Sequence, residues 1–215
     1  SGFSFSRGMS PRSRSGDAAG RAEAFFELDA AEFGSPDVFA IECAMYRDSH
    51  ETEISMFIEG RNILEFELDG RKHTACWNFD ELTSWLRHFL ETMEEDPYPA
   101  ACSSRYAAGK DTESRNFDSD NEEVFDAWYD RLDEWNLRHR WHTASDGAIL
   151  ADVYFELAGD HVEISWNNAD ADLDPGVKFS ELTGWASIDR RFFEETVGSF
   201  LSFYAAYWRK AEINH

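Results

Sequence analysis

The sequence predicts an α+β fold, mainly antiparallel sheet with two or three amphipathic helices packed on one face. Three observations predict it. Short β-favouring runs cluster between residues 38 and 76. Apolar residues recur at steps of three and four over 79–93, and the same strand-then-helix order returns after residue 149.

Residues 1–21 (SGFSFSRGMSPRSRSGDAAGR) have no period and carry Arg7, Arg12, Arg14 and Arg21 against the single acid Asp17. They read as a flexible basic tail, with Met9 as an alternative start. The acidic α+β domain is expected over 22–215, with sub-units at 22–96 and 120–215. Val38–Cys43, Ile54–Ile58 and Ile63–Leu68 are strand-like, and Gly60 and Asp69-Gly70 punctuate them as turns. Phe79, Leu82, Trp85, Leu86, Phe89, Leu90 and Met93 then share one helical face. Asn78 with Glu81 resembles a capping box, and Pro97 closes the segment. Residues 97–118 are polar and read as a connecting loop. A second helix is expected over 120–138, with Val124, Phe125, Trp128, Tyr129, Leu132 and Trp135 on its inner face. Strands return at Ile149–Leu157, His161–Trp166 and Val177–Phe179. A last helix covers 189–211 through Phe193, Val197, Phe200, Leu201, Tyr204 and Trp208.

Phe79–Trp85 (FDELTSW) and Phe179–Trp185 (FSELTGW) agree at five of seven positions. That match opens the reading of two similar halves, which the recurring β-then-helix order supports more than the heptapeptide does.

The formal net charge is −23; leaving out the tail, residues 22–215 carry −26. Such a body repels nucleic acid and anionic membranes and attracts basic proteins. With 42% hydrophobic and 15% aromatic residues, the chain is too apolar to be a disordered acidic segment. Cys43, Cys76 and Cys102 show neither CxxC nor zinc-ligand spacing and suit a reducing compartment. No run of 18 apolar residues and no secretory h-region are present, so a cytoplasmic protein without membrane contact is expected.

Asp170-Ala-Asp172-Leu-Asp174-Pro-Gly176-Val-Lys-Phe-Ser-Glu181 resembles the calcium loop of the EF-hand family, with acids at positions 1, 3 and 5 and Glu at 12. Pro175 stands where that family has Gly, and a strand-like segment precedes the loop. The favoured reading is therefore a solvated acidic loop and no cofactor, with calcium at Asp170, Asp172, Asp174 and Glu181 as the alternative. His139 and His142 are spaced to share a metal, but no third ligand stands at matching spacing. The sequence has no GxSxG, no GxxxxGK[ST] and no GxGxxG. An enzyme is the less favoured class.

Trp77, Trp141, Trp166 and Trp185 lie near strand ends or loops, where aromatics inside an acidic rim resemble interface hot spots. Size, acidity and the missing motifs resemble the immunity and defence-associated proteins of bacterial polymorphic-toxin systems. The DVYFELAGDHVEISW run within Trp141–Trp166 is similar to bacterial proteins of that kind. The resemblance covers less than half the chain and carries over no functional residue. It implies an inhibitor or immunity protein that docks a basic protein partner. A DNA-mimic anti-defence protein, an accessory domain of a larger complex and a metal-dependent enzyme are the alternatives.

Overall fold

The alternation read between residues 38 and 68 builds the first sheet. The computed structural model describes residues 28–46, 51–141, 151–169 and 176–213. In it β1 (Leu28–Ser35), β2 (Phe39–Tyr46) and β3 (Glu51–Ile58) run antiparallel, with β4 (Arg61–Asn62) paired to β3. The inward face takes Phe39, Ile41, Cys43 and Met45 from β2, with Ile54, Met56 and Ile58 from β3. Glu59 and Gly60 turn the chain with φ of 50° and 80°, the left-handed pair a tight hairpin requires. β5 (Phe66–Leu68) and β6 (Arg71–His73) form the next hairpin through Asp69-Gly70, and β7 (Ala75–Asn78) returns to pair with β3.

β1 was not expected. Its sequence LDAAEFGS is poor in β-branched residues, so local propensity gives little sign of it. Tertiary contacts hold it: eight residues in register with β2, and Phe33 packed at 5.6 and 5.3 Å on Phe200 and Phe203.

α1 (Phe79–Thr92) follows as expected, with the Asn78 side chain accepting from the Asp80 backbone N–H at 2.9 Å. The expected loop over 97–118 instead contains α2 (Ala107–Ser114). AAGKDTES lacks an apolar period, and the helix is held from outside itself. Ala107 and Ala108 are buried, and the Ala108 N–H donates to Ser165 Oγ at 3.0 Å. α3 (Glu122–His139) leads on to β8 (Val153–Ala158) and β9 (His161–Asn167).

β10 (Lys178–Phe179) pairs with β5, and β11 (Thr183–Asp189) completes a second main sheet of order β11-β9-β8. β11 is a second unexpected strand. The two matching heptapeptides therefore take different structures, one in α1 and one running into β11. Gly184 shows why: it lies against the Trp166 ring, where an added Cβ would sit 2.2 Å from a ring carbon. The corresponding Ser84 is exposed on α1.

α4 (Arg190–Ile213) packs on β1, β2, β9 and β11 and touches α1. One core joins both halves of the chain. Phe193 stacks on Phe39 at 5.2 Å and meets Phe155 at 5.9 Å and Phe89 at 6.0 Å. Burying such large rings supplies much of the hydrophobic stabilisation and locks the layers together. Because strand side chains alternate, Tyr154 and Ser165 point from β8 and β9 to the opposite face, where α2 and α3 cover them. Among the described residues no helix is long and apolar enough to cross a membrane.

Candidate protein-docking surface

The structure separates the four tryptophans singled out above. Trp77, Trp141 and Trp166 are buried in the main core. Among the described residues the indole N–H groups of Trp141 and Trp166 have no hydrogen-bond partner, and the Arg61 guanidinium lies 5.5 Å from the Trp166 ring. Trp185 is 38% exposed. Its ring stacks on Tyr106 at 4.3 Å and lies 5.2 Å from the Arg105 guanidinium, which also pairs with Glu163 at 3.1 Å.

Asp170, Asp172 and Asp174 lie outside the described residues, as does His142. Glu181 is half-buried, with Oε2 3.4 Å from Arg61 Nη1. His139 is buried with both ring nitrogens engaged, Nδ1 with the Phe155 carbonyl at 2.8 Å and Nε2 with Asp96 at 3.2 Å. Among the described residues no three His, Cys, Asp or Glu side chains converge as a metal site.

A different surface combines acids with exposed apolar side chains. α3 begins at Asn121, whose side chain accepts from the N–H groups of Glu123 and Val124 at 3.0 and 3.3 Å. Glu122 and Glu123 in its first turn complement the positive end of the helix dipole. Between residues 118 and 134 there are eight exposed acids, Asp118, Asp120, Glu122, Glu123, Asp126, Asp130, Asp133 and Glu134, and one base, Arg131. Helical spacing puts those on α3 along its outward side.

Beside the acids, Val124 is 48% and Phe125 37% exposed. This corrects the expected inner face. The two residues do lie toward the apolar sector, but burial of the helix begins only at Leu132, with Trp135 and His139 following. The first half of α3 carries an aromatic ledge instead. Phe125 lies 4.6 Å from Tyr129, and Phe117 lies 4.7 Å from Trp128. The Tyr129 hydroxyl donates to the Arg115 and Phe117 carbonyls at 3.2 and 3.3 Å, anchoring the ledge to the end of α2.

Behind the ledge a buried polar network holds α2 and α3 to the second sheet. Asp111 accepts from Arg115 Nε at 2.7 Å, the Tyr154 hydroxyl at 2.9 Å and Asn136 Nδ2 at 3.3 Å. Asp152 binds Arg115 at 3.1 Å and Arg140 Nε at 2.9 Å, and Lys110 Nζ binds Glu156 at 2.9 Å. Burial, and next the Asp111 charge, push the Tyr154 hydroxyl up, so it serves as a donor. Each of these carboxylates is engaged by a cation, which suits holding layers in register. Sequence reasoning missed this network because its members come from three elements and their flanks, α2, α3 and β8, with no common spacing.

No protein-family description and no curated protein matches the sequence. Among solved structures, CdiI from Burkholderia dolosa AUO158 aligns over 80% of this chain and 99% of its own. Its identity is 13% and its TM-score 0.42, values too low to establish a shared fold or family.

Proposed function

We propose that this chain is a non-catalytic binding protein that docks a basic protein through the first half of α3 and blocks that partner's active surface. One observation carries the reading: Phe125 and Val124 stand exposed on α3 among eight exposed acids. Exposed apolar side chains beside a charged rim match the anatomy of interfaces, where the apolar centre holds the partner and the rim guides it. At 1.5 Å per residue, Glu122, Glu123, Asp126 and Asp130 lie within about 8 Å of Phe125 along the helix axis. That is close to one Debye length at 0.1 M salt, so their field reaches an approaching cationic surface. An inhibitor or immunity role is the biological form of this reading.

A second reading shares the partner's charge. Glu122, Asp126, Asp130 and Asp133 form a row along α3, with steps of about 6, 6 and 4.5 Å from a rise of 1.5 Å per residue. Such a row suits mimicry of a nucleic-acid backbone toward a nucleic-acid-binding protein.

Partners are to be captured with the whole chain, identified, and studied by binding kinetics between about 0.1 M and 1 M salt. Association should slow at least about tenfold across that range, with dissociation little changed. Asp126→Asn with Asp130→Asn should slow association, and Phe125→Ala should speed release. Competition by duplex DNA would select the mimic reading. Association that ignores salt, or binding untouched by all three substitutions, overturns docking at α3.

A further inference from the structure

β11 is the outer strand of the second main sheet: β9 pairs with it on one side, and among the described residues no strand pairs with it on the other. The register decides which of its backbone groups face outward. Next to its two ends, the Asn168 N–H donates to the Leu182 carbonyl at 2.6 Å and the Arg190 N–H to the Asp160 carbonyl at 2.9 Å. Bonded positions alternate along an antiparallel pair, so Gly184, Ala186 and Ile188 bond to β9. Thr183, Trp185 and Ser187 aim their N–H and C=O groups away from it, and among the described residues these groups have no partner. Sheets guard such an edge with charged side chains, proline, a bulge or a short strand. TGWASID spans seven residues, has no proline and no charge before Asp189, and pairs with β9 without a bulge. The opposite edge of the sheet is closed: Arg140 bridges to Tyr154, and the Trp141 N–H donates to the Val153 carbonyl at 2.8 Å.

We propose that β11 is a docking edge for an extended segment of a foreign protein, which adds to the second sheet as a further strand. The recognising chemistry names the occupant. Donors and acceptors that repeat about every 6.8 Å match the backbone of another β-strand, which offers the complementary row at the same repeat. Side chains set its character. Trp185, Ser187 and Asp189 are exposed and share the face on which α2 lies, since Trp185 stands opposite Ser165, whose hydroxyl holds the Ala108 N–H. On that face the stacked Trp185 and Tyr106 rings form a platform, and Asp189 places a carboxylate four residues further along β11. An antiparallel strand sets an aromatic side chain against the platform and a lysine or arginine against Asp189. A second copy of this chain brings a net charge of −23 against the same charge, so charge selects a cationic strand from another protein. α3 packs over β8, at the other end of the sheet order, so this edge and the α3 ledge are distinct surfaces.

The probe is the heptapeptide KVTVYTK, whose first lysine stands opposite Asp189 and whose tyrosine stands opposite Trp185. Amide hydrogen exchange is followed residue by residue by NMR in the whole chain. Without peptide, the N–H groups of Trp185 and Ser187 should exchange fast and those of Ala186 and Ile188 slowly. With peptide at about ten times its Kd, exchange at Trp185 and Ser187 should slow about tenfold. A peptide N-methylated at its first threonine and its tyrosine, the residues that pair with the edge, should lose this effect. One N-methylated at its two valines should keep it. Ser187→Pro should also abolish binding, because proline removes an outward N–H while leaving the bonds to β9; the methylated peptides test the same point on the unaltered chain. Slow exchange at Trp185 and Ser187 in the free chain overturns the proposal, since the edge is then already paired. A peptide that leaves both groups fast overturns it, as does one that protects them equally when methylated at the threonine and tyrosine. The readout is confined to β11, so its failure leaves the reading of α3 standing.

Discussion

Phe89 is the residue at which the fold is most simply tested. It is buried between Trp85, Phe155 and Phe193, at ring distances of 5.3, 5.7 and 6.0 Å. Phe89→Ala should cost about 3–5 kcal/mol in denaturant unfolding, since the neighbouring rings leave little freedom to close the cavity. Trp85→Ala should cost less, because Trp85 is half-exposed and its Nε1 reaches only the Leu137 carbonyl at 3.2 Å. Glu42 gives a pH test with an unusual sign. Its carboxyl is raised by burial and by Glu32, so the folded state holds this proton more tightly than the unfolded chain does. The pair therefore weakens the fold at neutral pH, and the penalty fades as pH falls through the raised value. Glu42→Gln should raise the melting temperature at about pH 7 and lose that advantage near pH 4. Asp96 behaves in the opposite way. Burial opposes its ionisation, but Arg138 and His139 hold it low, so its contribution is lost on acidification. The individual acids were legible in the sequence. The facing of Glu32 and Glu42 was not, because the register that creates it belongs to a strand with no propensity signal.

α3 shows what an element's sequence can and cannot disclose. Its helical character, its cap at Asn121 and its acids are local properties, and all are written in the spacing. Exposure of Phe125 is not local. It depends on burial beginning only at Leu132, and only the assembled layers determine that. α1 and α4 were readable for the same reason as α3, whereas β1, α2 and β11 were not: α2 and β11 rest on strands far along the chain, and β1 is held by its register with β2 and by Phe200 and Phe203, not by its own propensity. Asn121→Ala should destabilise the protein by about 1 kcal/mol, since two N–H groups lose their acceptor. Phe125→Ser should change the unfolding free energy by less than about 1 kcal/mol, because the ring is partly in water. It should nevertheless weaken capture of a basic partner; an equal loss of stability would place Phe125 in the core instead.

At the scale of the whole molecule, the charge dominates. A body carrying −26 over residues 22–215 repels itself, so screening should stabilise it. Millimolar calcium and magnesium are expected to raise the melting temperature equally. A rise selective for calcium, and abolished by Asp172→Asn with Glu181→Gln, would instead establish a cation loop at 170–181. The shared aromatic core bears on how the chain is made. Phe39, Phe89, Phe155 and Phe193 enter the growing polypeptide in that order, and the ring that touches the other three comes last. At about 5–20 residues per second, the inner face of β2 waits roughly 8–30 s for Phe193 after Phe39 is joined. During that interval Ile41, Ile54, Met56 and Ile58 form an apolar sheet without its cover. Ribosome-bound chains stalled before residue 190 should therefore recruit holding chaperones, and chains stalled late enough to free α4 from the exit tunnel should release them.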